Sequence, residues 1–204
     1  MKNFIRLTTT LVILGLSILS PVHGSASTVP YSNEGTHNSD SYTFTATSTG
    51  EIHAYFYGST AAYTNTLTML VNGVATPETT AGVLNNQLSG IGDFVNLGFV
   101  NAGDSITFQL NVLTTGKTWY SDSESNSDGI NHVYSTAFLG DYESNIPAGT
   151  YVGFEDIFRG GDLDYDDQTF VFTNVSPVPE PETYAMMLAG LMLVGFKLRA
   201  ERMK

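Results

Sequence analysis

From Tyr42 onward the chain alternates apolar and polar side chains one for one. Tyr42, Phe44 and Ala46 stand between Thr43, Thr45 and Thr47, and beyond Gly50 the set Ile52, Ala54 and Phe56 stands between Glu51, His53 and Tyr55. A period of two places successive side chains on opposite faces, so each stretch predicts a half-buried β-strand. Leu67, Met69 and Val71 repeat the pattern and end at Asn72-Gly73, the strongest short-range hairpin signal. Val95, Leu97 and Phe99 then lead through Ala102-Gly103-Asp104 into Ile106, Phe108, Leu110 and Val112, and segments 133–138, 151–154 and 170–175 complete about eight strands. No useful length of the centre carries a 3.6-residue apolar period. The prediction is an all-β fold over residues 27–175: an antiparallel two-layer β-sandwich, jelly-roll-like. Thr76 to Gly92 reads as a long loop or short helical turn across one end, and Thr114 to Asn131 as a second loop.

The two ends break this pattern. Lys2 and Arg6 precede an uncharged run from Leu7 to Ser20, then Pro21 and the small residues Gly24, Ser25 and Ala26. This reads as a signal helix over residues 1–26, cut after Gly24 or Ala26. At the other end Pro177, Pro179 and Pro181 form a Pro-rich linker (176–182), followed by an uncharged apolar stretch from Tyr184 to Phe196 and the cations Lys197, Arg199, Arg202 and Lys204. Such a stretch covers ~20 Å as a helix, short of the ~30 Å hydrocarbon core. Snorkelling of Lys197 lengthens it, and the basic end keeps the terminus cytoplasmic with the domain outside.

Charge narrows the partners. Between residues 27 and 182 only Lys117 and Arg159 oppose nineteen carboxylates, a formal charge near minus seventeen. That field repels nucleic acid and anionic lipid and favours multivalent cations. The chain has no cysteine, so its core or a metal must hold an exported fold that lacks the usual staple.

The densest chemistry lies in Glu155-Asp156-Ile157-Phe158-Arg159-Gly160-Gly161-Asp162-Leu163-Asp164-Tyr165-Asp166-Asp167, six carboxylates in thirteen residues. Alternation at Asp162, Asp164 and Asp166 lets a curled loop converge them, with Gly160 and Gly161 permitting a sharp turn. Oxygen ligands without His or Cys select a hard ion, calcium before magnesium. The alternative is a solvated acidic loop without an ion. The expected metal ligands are Asp128, Glu155, Asp156, Asp162, Asp164, Asp166 and Asp167. Glu124 and Asn126 are added because Glu124, Asn126 and Asp128 occupy the first three ligand places of an EF-hand-like loop, although Ser135 stands where its bidentate Glu belongs.

Val178-Pro179-Glu180-Pro181-Glu182-Thr183-Tyr184, the apolar stretch with Gly190 and Gly195, and the basic end resemble the sorting tails called PEP-CTERM. The resemblance implies a sorting motif at Val178, Pro179, Glu180 and Pro181 and a transmembrane sorting helix with a basic end (183–204). It further implies processing by an exosortase, with residues 184–198 held transiently in the inner membrane, release to the cell surface or extracellular space, and association with exopolysaccharide. A second resemblance covers residues 120–175. Asp128-Gly129-Ile130-Asn131-His132, Val152-Gly153-Phe154-Glu155-Asp156 and Gly160-Gly161-Asp162-Leu163-Asp164-Tyr165-Asp166-Asp167 are similar to motifs of uncharacterised bacterial surface domains, which look like calcium-dependent β-sandwich modules. Gln168 and Thr169 stand where that pattern leads us to expect apolar residues.

Catalysis fits less well. His37, His53 and His132 accompany no nucleophile elbow, paired-His metal motif or phosphate loop. His132 reads as a strand-surface residue, or as one that orients a carboxylate. A glycan-active hydrolase using Glu155 and Asp156 is the alternative, although sequence neighbours on a strand end face opposite ways. Trp119, Tyr120, Tyr55 and Tyr57 offer a sugar-stacking surface, with Trp119 better placed as a plug at the base of a loop. The expectation is an exported, non-enzymatic, calcium-stabilised surface or matrix module that contacts polysaccharide and no nucleic acid.

Overall fold

A computed structural model describes residue 29, residues 31–178 and residues 190–192. The expected signal segment, Pro179, Glu180 and Pro181 of the sorting motif, and nearly all of the apolar tail lie outside the described residues. Among the described residues no helix is long and apolar enough to cross a membrane.

The strands are β1 (Thr43–Ala46), β2 (Gly50–Gly58), β3 (Asn65–Val71), β4 (Val74–Ala75), β5 (Phe94–Val100), β6 (Ser105–Val112), β7 (Lys117–Tyr120), β8 (Val133–Phe138), β9 (Gly149–Phe154), β10 (Gln168–Phe172) and β11 (Val175–Val178). They form two antiparallel sheets. One runs β11-β1-β6-β3-β4 with β7 also on β6, and the other runs β5-β2-β10-β9-β8. The alternation seen in the sequence is what the sheets bury. Ile106, Phe108, Leu110 and Val112 of β6 face Ile52, Ala54 and Phe56 of β2 across a core that also takes Leu67, Met69, Leu97, Phe154, Phe170 and Phe172. Phe108 stacks on Phe172 with ring centroids 3.7 Å apart, joining the two sheets at the centre.

Three elements depart from the expected layout. β7 occupies the first part of the predicted 114–131 loop, because β6 uses one edge for β3 and leaves its far end open for Lys117–Tyr120. β11 carries the chain past residue 175 to Val178, taking the start of the expected linker into the sheet against β1. Pro177 is tolerated there because β11 is an edge strand and its missing N–H costs no interior bond. Thr76 to Gly92 lies along the edge of β3, with Leu67 and Val83 exchanging both backbone bonds at 2.8 Å.

Gln168 and Thr169 do belong to the last strand of their sheet, in register with Phe154 and Gly153. Both are buried despite their polarity. β10 is covered on both faces: Phe170 and Phe172 face the core, while Val171 faces a second cluster with Tyr151, Phe138 and Ile146 on the outer side. A strand buried on both faces has no solvated side for polar residues, so Gln168 and Thr169 bond to Leu84 and Gly58 carbonyls instead.

Candidate metal centre

The acidic loop leaves the end of β9 and returns as β10, and its backbone explains how the acids meet. Arg159, Gly160, Gly161, Leu163 and Tyr165 all have φ between 56° and 78°. Left-handed residues at 161, 163 and 165 curl a segment whose acids alternate at 162, 164 and 166. For non-glycine residues such φ values cost ~1–3 kcal/mol each, so surrounding contacts must hold them. Tyr165 is 1% exposed, its hydroxyl accepts from Asn38 N at 2.9 Å, and Gly35 N donates to the Leu163 carbonyl at 3.1 Å.

Within that curl Glu155, Asp162 and Asp164 each offer a carboxylate oxygen, all within 4.8 Å of one another. Glu155 is completely buried, Asp164 half-buried and Asp162 exposed, so the group opens to solvent on one side. Oε1 of Glu155 accepts from Tyr165 N at 2.6 Å, while Oε2 is buried without a hydrogen-bond partner. An orphan carboxylate oxygen in the interior is expensive. Here it sits beside two further acids, each like-charge pair adding ~3 kcal/mol at about 5 Å and an effective dielectric near 20.

Burial first, and then the charges of Asp167, Asp164 and Asp162, push the Glu155 carboxyl up to about 8 against the single opposing Tyr165 N–H. Burial and the neighbouring Asp166 raise Asp164, and burial with Asp156 raises Asp167 against the Asp156 N–H. The folded chain therefore holds the Glu155 proton more tightly than the unfolded one. Without an ion, the stability this proton contributes is full below the ordinary value of 4.5 and is lost as pH rises to about 8. The expected slope is about 1.4 kcal/mol per pH unit for this one proton. Denaturant melts in chelator between pH 5 and 9 measure it, and a flat or rising profile contradicts the placement of Glu155.

The other expected ligands fall outside this group of three. Asp128 is engaged elsewhere: its Oδ2 faces His132 Nε2 at 3.0 Å and accepts from Arg159 N at 2.9 Å. Burial raises its carboxyl, but these two contacts and Ile130 N–H outweigh that and hold it below the usual range. Asn126 is a staple: its Oδ1 accepts from Tyr120 N, and its Nδ2 donates to Tyr120 and Ile130 carbonyls. Glu124 is exposed on a short 3-10 turn capped by Asp122. Asp166 accepts from the Thr60 hydroxyl. Asp156 and Asp167 form a separate buried pair, in which Asp156 N donates to Asp167 Oδ2 at 2.8 Å.

His132 is fully buried, contrary to the strand-surface expectation. Its Nδ1 meets the Glu155 carbonyl at 3.0 Å, so the ring ties Asp128 to the residue that carries the buried carboxylate of the acidic group. Trp119 stacks on it at 3.9 Å and 6°, with Nε1 donating to the Asp156 carbonyl at 2.8 Å. The indole is thus the plug and not a sugar platform. Gly153 carries a signal that sequence reasoning overlooked, since a Cβ there would run into the Tyr165 carbonyl. Gly153→Ala is expected to push the acidic loop outward, cost ~1–3 kcal/mol and diminish any stabilisation by calcium; wild-type melting with and without the ion would contradict this.

Two packed antiparallel sheets closed at one end by a carboxylate loop define the class, an all-β domain with a candidate cation centre. Residues 91–174 match the model of a family described as a domain of unknown function, DUF4114. That stretch runs from before β5 through β10 and contains Glu155, Asp162 and Asp164. No curated protein matches the chain, and no solved structure matches it.

Proposed function

We propose that this protein is an exported cell-surface or extracellular-matrix module whose sandwich is locked by a calcium ion held by Glu155, Asp162 and Asp164, and that its role is non-enzymatic. The observation that carries the calcium reading is Glu155 Oε2, a buried acceptor without a hydrogen-bond partner beside two other carboxylates. A hard divalent ion offsets two of their three negative charges, satisfies Oε2 and takes its remaining ligands from water on the open side. The hydrolase alternative finds less support. Glu155 faces Tyr165 while Asp156 faces Asn65, and among the described residues neither lines the cavities of about 330–350 Å³ around Ser41, Tyr57 or Tyr142.

The export address rests on the charged-then-apolar start and on the Pro-Glu-Pro, apolar, basic order at the end, with an exosortase as the processing partner. Polysaccharide contact is favoured by a cavity of about 350 Å³ on the outer face of the five-stranded sheet, lined by Tyr57 and Tyr151 with Asp166, Ser59, Thr60 and Thr169. Rings beside hydroxyls and a carboxylate suit an uncharged sugar.

Calorimetric titration of the purified chain with calcium tests the centre. Heat with saturable binding is expected for wild type, and loss of binding at this centre for Glu155→Gln. Absence of any binding by wild type up to millimolar calcium overturns the proposal.

A further inference from the structure

We propose that the same end of the sandwich holds a second, deeper divalent cation, bound by Asp156, Asp167 and the side-chain oxygens of Asn65 and Gln168. This rests on the calcium reading of the acidic loop and extends it inward.

Strand periodicity places these groups. Asn65 lies two residues before Leu67, Asp156 two after Phe154 and Gln168 two before Phe170, and each of those apolar residues belongs to the core between the sheets. The same parity turns Asn65 and Gln168 toward that interior, from β3 in one sheet and β10 in the other, and Asp156, just past the end of β9, meets Asn65 there. All three are nearly or fully buried: 0% exposed for Asn65 and Gln168, 3% for Asp156. Asp167, 9% exposed, completes the group by accepting from Asp156 N, and its carboxyl contacts that of Asp156.

The amide groups supply an observation independent of the acids. Asn65 Nδ2 donates to Asp156 Oδ2 at 2.7 Å, and the oxygen of that same terminal amide, Oδ1, is buried with no partner. Gln168 Nε2 donates to the Leu84 carbonyl at 2.7 Å, and its Oε1 is likewise buried with no partner. Both orphans are acceptors. A proton shared between Asp156 and Asp167 would ease the meeting of the two carboxyls but would leave both amide oxygens unanswered. A cation answers all four groups. No salt bridge among the described residues supplies one from Lys117 or Arg159. Two carboxylates and two amide oxygens, without nitrogen or sulfur, form a donor set for calcium in preference to a transition metal. Trp119 Nε1 and the Asp156 carbonyl fix the backbone from which one ligand projects.

Native mass spectrometry of the purified chain, stripped with chelator and titrated with calcium chloride, decides the matter. Wild type is expected to carry two ions, Glu155→Gln one and Asn65→Leu one. Asn65→Asp, which keeps an oxygen donor and adds charge, is expected to keep two and to bind the inner ion ~10-fold more tightly. A wild type with a single ion that Glu155→Gln abolishes overturns the second site and leaves the outer centre standing; a wild type with none overturns both. Two ions retained by Asn65→Leu overturn the assignment of ligands, leaving buried water as the partner of the orphan oxygens. Should Asn65→Leu not fold, Asn65→Asp alone decides: calcium must raise its melting midpoint more than that of wild type, and an equal or smaller rise overturns the inner site.

Discussion

Calcium at a hundredfold excess over its dissociation constant is expected to raise the melting midpoint of this protein by roughly 8 °C. The figure follows from ~2.7 kcal/mol of linkage at that excess and ~2–4 °C per kcal/mol for a domain of this size. Glu155→Gln separates the ion from the fold by reversing sign. In calcium the variant is expected to melt below wild type because the outer centre would be lost. In chelator above pH 8 it melts above wild type, because the wild-type chain must then keep an ionised carboxylate in a fully buried position, with Oε2 unanswered. Scanning fluorimetry with both proteins, with and without calcium at pH 7 and pH 9, reads all four values. Superimposable curves for wild type with and without the ion would sink the centre.

The second large effect belongs to Trp119. Its side chain is fully buried, lies flat on His132 at 3.9 Å and donates from Nε1 to the Asp156 carbonyl. Trp119→Ala removes the ring and leaves a cavity, at ~3–5 kcal/mol, and strips a buried carbonyl of its donor, at ~1–3 kcal/mol. Trp119→Phe restores part of the volume without the N–H and is expected to fall between the two. Urea denaturation gives both values. A loss under ~1 kcal/mol for the alanine variant would mean that the ring does not close this end of the sandwich.

Much of the sandwich is legible in the sequence because strand burial is periodic and local. Ile106, Phe108, Leu110 and Val112 announce β6 without reference to any other residue. β7 is invisible by that logic: in Lys117–Tyr120 only Trp119 is buried, and one apolar residue among four makes no pattern. β11 escapes because Pro177 signals a linker, and only its place at a sheet edge makes the proline harmless. Gln168 looks out of place in a strand until Leu84, far away in sequence, supplies its acceptor.

The acidic loop divides in the same way. Its carboxylates, its glycines and an oxygen-only donor set of the kind a hard ion would need follow from composition and spacing alone. Which acids share a centre does not. Asp162 and Asp164 join Glu155, while Asp128 is drawn to His132 and Asp166 to Thr60. Spacing along the chain constrains only what nearby backbone can bring together. Burial of Glu155, the partners of His132 and the approach of Asn65 to Asp156 across 91 residues depend on how two sheets meet, and long-range packing alone decides that.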